Sequence, residues 1–211
     1  MQIVKPIDIE NKSFEIIKSE IPEEKLSKIP ENMLNVVIRV IHATADFDFV
    51  DILQYSDDFY EKAINALKNG CNIVTDIKMV KYGISQKMCN DSGVKVETYI
   101  DESEVIKLSK NEKITRSIAA MRLFAKNADN GIIVIGNAPT ALFEIIRLHE
   151  NGLINPAAVV GVPVGFVGAA ESKELLVKYG AIPFITSNGR KGGTPVAVAI
   201  INALLKNIKK N

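Results

Sequence analysis

In the second half of the chain, three short apolar runs each end in a glycine-rich turn that opens onto a helical pattern. Ile132-Ile133-Val134-Ile135 leads into Gly136-Asn137-Ala138-Pro139-Thr140, and Ala157-Ala158-Val159-Val160 into Gly161-Val162-Pro163-Val164-Gly165-Phe166-Val167-Gly168. Ile182-Pro183-Phe184-Ile185-Thr186 is followed by Asn188-Gly189-Arg190-Lys191-Gly192-Gly193-Thr194-Pro195. Strands joined through helices run the same way and are covered on both faces, so this repetition constrains the fold to a parallel sheet. Such turns aim unpaired N–H groups and a helix dipole past the strand ends, which suits an anion. Alternatively they are plain βα connections, which use Gly, Pro and Asn for geometry alone. None is a GxGxxG fingerprint or a GxxxxGK[ST] loop, so nucleotide binding has weak support.

The alternation starts earlier. Ser56-Asp57-Asp58 caps a helix that stops at Gly70, strands follow at 72–75 and 94–98, and a charged amphipathic stretch leads to the strand at Ile132. Helices at 139–150 and 169–179 and a closing helix from Thr194 complete the set, with Gly152 and Gly180 at helix ends. Five strands predict a three-layer α/β/α domain with a mainly parallel five-stranded sheet, flavodoxin-like, its ligand above the C-terminal strand ends. The first quarter reads helical. Ile9, Phe14, Ile16, Ile17 and Ile21 form a rough stripe over 7–21. Segment 33–41, between Pro30 and His42, is apolar nearly all round and reads as a buried helix, although its Val and Ile content admits a strand. The expectation is one domain over 1–211, with 1–55 a largely helical part packed on the sheet.

Twenty-six basic and 25 acidic residues give a net charge of +1, so no global field draws the chain to nucleic acid or membrane, and any anion site is local. Cys71 and Cys89 match no zinc or redox spacing and read as free thiols of a reducing compartment. No run approaches a membrane span and no apolar signal core opens the chain, so a soluble cytoplasmic protein is expected. The Lys-rich tail from Lys206 reads as a solvated helix end.

Several residues stand out chemically. Arg190 and Lys191 precede Gly192-Gly193 at a helix N-terminus, where a guanidinium and an ammonium suit a carboxylate or phosphate. His42 closes the buried helix just before Asp46, as either a proton donor near neutral pH or a structural hydrogen-bonding histidine. His149 reads as a simple dipole partner at a helix end. Thr75-Asp76 lies at a strand's C-terminal end, an active-site address in this architecture, although Asp76 alone reads as an N-cap for the next helix. Asp46, Asp48 and Asp51 form an acidic turn among phenylalanines, with no further ligand spacing for a metal. Arg116, between Thr115 and Ser117 in an alanine-rich stretch, hints at a partner; Arg122 is set in the same stretch.

Taken in order, these segments resemble the precorrin-8X methylmutase family, also called cobalt-precorrin-8 methylmutases, of cobalamin (vitamin B12) biosynthesis. The resemblance rests on Ser13-Phe14-Glu15-Ile16-Ile17, on Arg39-Val40-Ile41-His42-Ala43-Thr44-Ala45-Asp46-Phe47 and on Val74-Thr75-Asp76-Ile77-Lys78-Met79-Val80. It continues through Thr115-Arg116-Ser117 and the three glycine turns, including Ala169-Ala170-Glu171-Ser172-Lys173, and covers nearly the whole chain. It implies an isomerase moving a methyl group from C-11 to C-12 of (cobalt-)precorrin-8, a suprafacial 1,5-shift giving hydrogenobyrinate or its cobalt-containing counterpart, cobyrinate. His42 would protonate a ring nitrogen. Ser13, Thr75, Asp76, Arg116, Asn137, Arg190, Lys191, Gly192 and Gly193 would hold the acetate- and propionate-fringed macrocycle. The resemblance also implies a homodimer, for which the apolar 33–41 segment offers surface, and a corrinoid as the small-molecule partner, with transient contact with neighbouring pathway enzymes. No cofactor is expected, and no metal beyond cobalt carried inside the substrate; the Lys- and Ile-rich chain leans toward the anaerobic, cobalt-early route. The competing class is a non-catalytic carrier of a polyanionic tetrapyrrole-like ligand, indifferent to His42. An FMN protein is disfavoured by the lack of a Ser/Thr-rich phosphate loop after the first strand.

Overall fold

The computed structural model describes residues 6–208, with side chains from residue 9. Helices α1 (Pro6–Glu20), α2 (Glu23–Leu26), α3 (Glu31–Thr44) and α4 (Phe49–Ile52) precede a first short strand, β1 (Leu53–Tyr55). Strands β2 (Asn72–Thr75), β3 (Lys95–Thr98), β4 (Ile132–Ile135), β5 (Ala158–Gly161) and β6 (Phe184–Ser187) then alternate with helices. These are α5 (Phe59–Lys68), α6 (Lys78–Gly83), α7 (Gln86–Asp91), α8 (Ser103–Glu112), α9 (Arg116–Phe124), α10 (Pro139–Glu150), α11 (Ala169–Tyr179) and α12 (Thr194–Ile208).

The sheet has six strands, not five, in the order β1-β6-β5-β4-β2-β3. The five parallel strands, renumbered from β2, run 2-1-3-4-5, which is the flavodoxin-like order. The sixth, β1, pairs antiparallel with β6, Leu53 opposite Ser187. It falls inside the region expected to be helical; three residues with only Leu53 fully buried offer no period to read.

Alternation along the central strands builds two cores. Ile132, Val134, Val160 and Ile185 face α3, α5 and α12, while Ile133, Ile135, Val159 and Phe184 face α9, α10 and α11. The 33–41 segment is helical, and its Met33, Val36, Val37, Ile38, Val40 and Ile41 are at most 4 % exposed. They are covered within the chain by α1 and α12, so these six side chains are not surplus apolar surface. The stripe on α1 is also narrower than its sequence suggests: Ile17 and Ile21 are buried and Phe14 half-buried, but Ile9 and Ile16 are exposed. At the far end, Lys206 is not free in solvent but pairs with Glu10 and lies over the Phe14 ring. The last three tail residues lie outside those described.

Candidate active site

The C-terminal ends of the parallel strands carry the turns at 136–140, 162–168 and 188–193, and the end of α3 reaches the same edge. Asn188 donates to the carbonyl of Ile52, and Lys191 Nζ bonds Asp46 and Asp48, each at 2.6 Å. One end of the molecule therefore gathers His42, the acidic turn after it and the Arg190-Lys191 turn.

The crevice between β2 and β4, where this strand order reverses, is the usual ligand position. Here the chain fills it. Asp76 is fully buried and accepts the N–H groups of Gly136 (3.0 Å), Asn137 (2.8 Å) and Ala138 (2.7 Å). The carboxylate caps α10 from a neighbouring strand, so Asp76 is neither the N-cap of α6 nor a ligand-facing group; Ile77 holds that N-cap position. Burial pushes its carboxyl up from the ordinary value against the pull of those three N–H groups. Thr75, 1 % exposed, spends its hydroxyl on the carbonyls of Ile77 and Glu97. Both residues, read from the sequence as substrate-binding, are buried and hydrogen-bonded within the chain. Gly136 is needed because a Cβ there would sit 2.7 Å from Val80 Cγ2.

The 188–193 turn is held differently. Gly193 N–H donates to the carbonyl of Val162, and Gly165 N–H to that of Arg190, which stitches two loops together. A Cβ on Gly192, at φ +156°, would collide with the Val162 carbonyl oxygen, so these glycines serve close backbone approach. Lys191 is committed to Asp46 and Asp48 instead of standing open to an anion; it holds the Asp46 carboxyl below its ordinary value and is itself raised by both partners. Arg190 is the open cation. Its guanidinium lies 5.3 Å from the ring centroid of Phe166, itself 84 % exposed, and pairs with no carboxylate among the described residues.

His42 lies in the last turn of α3, exposed, with its ring edge-on to Phe14 at 5.3 Å. A groove of about 240 Å³ beside it is lined by Ile16, Ile17, Glu20, Ala45 and Phe47. Helix α3 ends on Ala45 in the left-handed region (φ 52°), an unusual state for a residue with a Cβ, and this turns Asp46 toward Lys191. Asp46 is thus engaged by the turn, not by the histidine. Ser13 precedes Phe14 on α1 and is half-buried, its hydroxyl donating to the Ile9 carbonyl.

Arg116 opens α9 and pairs with Asp101 at 2.9 Å, while Lys78 pairs with the same carboxylate at 2.6 Å. Two cations on one carboxylate leave net positive charge there. The Thr115 and Thr140 hydroxyls, 3.1 Å apart, tie this corner to the 136–140 turn, whose Asn137 side chain is exposed. Arg122 is elsewhere, bonded to Glu112 and Glu144. His149 is half-buried in the last turn of α10, its Nδ1 2.7 Å from the Tyr179 hydroxyl, and burial lowers its pKa. Cys71 and Cys89 are free, and burial pushes the Cys71 thiol up to about 12. Among the described residues no group of three His, Cys, Asp or Glu side chains is placed to hold a metal ion.

Two features escaped the sequence reading. Phe166 forms the floor under Arg190, and Lys173 lies buried below the 188–193 turn. The spacing of Ala169, Ser172, Lys173 and Leu176, all buried on one face of α11, is the signal that would have found Lys173.

Residues 8–207 match the profile of the precorrin-8X methylmutase family. The cobalt-precorrin-8 methylmutase of Methanocaldococcus jannaschii is 43% identical over 94% of this chain and 92% of its own. That of Salmonella typhimurium is 43% identical over 99% and 98%. Among solved structures, the precorrin-8x methyl mutase from Thermus thermophilus superposes with a TM-score of 0.86 at 32% identity, covering 95% of each chain.

Proposed function

The chain belongs to the precorrin-8X methylmutase family, and we propose that it shifts a methyl group from C-11 to C-12 of its corrin precursor above the C-terminal strand ends. It is an isomerase of cobalamin biosynthesis. The observation that carries the siting is Arg190: a guanidinium with no carboxylate of its own among the described residues, lying over an exposed aromatic ring at the edge that His42 also reaches. A planar macrocycle fringed with carboxylates matches an aromatic floor beside an open cation. Arg116 with Lys78 and the exposed Asn137 supplies a second anchoring corner, and Ser13 lies on the α1 side of His42.

A methyl shift on a conjugated ring needs no nucleophile. His42 donates a proton to a ring nitrogen, which draws electron density from the carbon that loses the methyl group. A positioned general acid contributes typically about 10²–10⁴ in rate. Lys191, bound to Asp46 and Asp48, ties the end of the His42 helix to the turn carrying Arg190 and so fixes the acid relative to the carboxylate anchor. The reaction so read needs no resident cofactor, and cobalt enters as part of the substrate. The cobalt-loaded substrate is favoured, because the 43% identical relatives are named for it. A homodimer fits the exposed Met79, Tyr82, Phe166 and Val167. A cytoplasmic setting fits two free thiols, and no helix among the described residues is long and apolar enough to cross a membrane.

The test is turnover of cobalt-precorrin-8 and metal-free precorrin-8 side by side, followed by visible absorbance. Conversion, faster with cobalt, is expected. Binding without a spectral change to product would make the protein a carrier.

A further inference from the structure

Lys173 is a lysine in an unusual place. It is 1 % exposed, on the face of α11 that meets β6, and its ammonium donates to the carbonyl of Lys191 at 2.7 Å and to Ser187 Oγ at 3.2 Å. No carboxylate pairs with it among the described residues. The Ser187 hydroxyl donates to the same Lys191 carbonyl at 2.7 Å, so the ammonium is one of two side-chain donors on that acceptor. An apolar side chain would fill the space without burying a charge. What lysine adds there is a positive charge beneath the backbone between Arg190 and Gly192.

We propose that Lys173 is a positioning residue for the substrate's carboxylates: from below, it locks the 188–193 turn and supplies a buried positive charge that a carboxylate docked on Arg190 completes. This rests on the functional reading given above. A charge in a poorly solvated interior acts over longer range than one on the surface, so it favours an anion at the turn without touching it. Burial has already lowered its pKa to about 8. Strands β5 and β6 bring no charged side chain toward it, and the turn brings Arg190 and Lys191. On α10, Glu144 is bonded to Arg122 and Arg147. Glu171 and Glu174 on α11 are exposed, and Asp46 and Asp48 are held by Lys191 Nζ. An anion bound at Arg190 therefore favours the protonated lysine, and binding near pH 8 takes up a proton.

The test uses the full chain and its corrinoid product as probe. Lys173→Met should raise KM and weaken product binding by roughly tenfold, about 1.4 kcal/mol, with kcat within about twofold and a thermal midpoint no lower than the parent's. Product affinity of the parent should fall as pH rises through about 8, and that of Lys173→Met should be flat over the same range. Unchanged KM and affinity, or a fall confined to kcat, would overturn the proposal. If Lys173→Met does not fold, Ser187→Ala takes its place. It leaves the lysine as sole side-chain donor to the Lys191 carbonyl, so its affinity should drop more steeply above pH 8 than the parent's, and a parental profile would overturn the proposal. A parent protein that neither binds product nor converts substrate would instead refute the functional reading itself.

Discussion

The turns at 136–140 and 188–193 share a glycine lead, a helix behind and a parallel strand in front, but buried charges of opposite sign hold them. Beneath the first lies Asp76, a carboxylate that takes three backbone N–H groups. Beneath the second lies Lys173, an ammonium that donates to a backbone carbonyl. The first turn looks like an anion site and already contains its anion. The second keeps its cation, Arg190, open and has another positive charge below. A glycine turn at a helix N-terminus is thus a site only if the protein has not supplied the counter-charge itself. This also argues against a flavin phosphate in the β2–β4 crevice, despite the flavodoxin-like strand order.

The contrast can be broken most forcefully at Asp76. Each buried donor left unpaired costs about 1–3 kcal/mol, so Asp76→Ala should lose several kcal/mol in denaturant unfolding, and Asp76→Asn, which keeps one acceptor, less. Parental stability in Asp76→Ala would mean that the first turn is not held by its carboxylate. Arg190→Ala should give the opposite profile: unfolding unchanged, and product affinity weaker by roughly tenfold, from a charge-assisted bond of about 1.5–3 kcal/mol partly screened by solvent. Destabilisation with intact binding would reverse the roles assigned to the two turns.

The smallest effect belongs to the Lys191 pairs, which are solvent-exposed and screened by water and salt. Asp46 has a depressed pKa in the folded chain, chiefly from Lys191. Its stabilisation is therefore present above the ordinary aspartate value and is lost as pH falls through the depressed one. Asp46→Asn should be slightly less stable than the parent near neutral pH, and the gap should close on acidification and on adding salt. A gap that widens in acid would show that Lys191 is not its main partner.

Much of this was legible in the sequence, for reasons that also mark its limits. Strands β4 and β5 are continuous apolar runs closed by glycine, and α10 and α11 begin and end where Pro139, Glu150, Ala169 and Tyr179 were read. Strand β1 was not legible, because three residues carry no period and its pairing with β6 is long-range. Asp76 was misread as a local cap because sequence shows only near neighbours, whereas its donors begin sixty residues further on. Lys191 was read as open because Asp46 and Asp48 meet it only through the fold. The apolar segment 33–41 looked like surplus surface because α12, which covers it, lies at the other end of the chain.

His42 decides whether this face performs chemistry or only holds a macrocycle. It lies at the end of α3, joined to the Arg190 turn through Asp46 and Lys191 but making no ion pair with either among the described residues. The direct measurement is single-turnover conversion of cobalt-precorrin-8 by His42→Ala, with product affinity determined on the same preparation. The predicted result is a loss of about two to four decades in rate with affinity within a few-fold of the parent's. Conversion at the parental rate, or a rate loss fully matched by lost binding, would contradict the assignment of His42 as the proton donor.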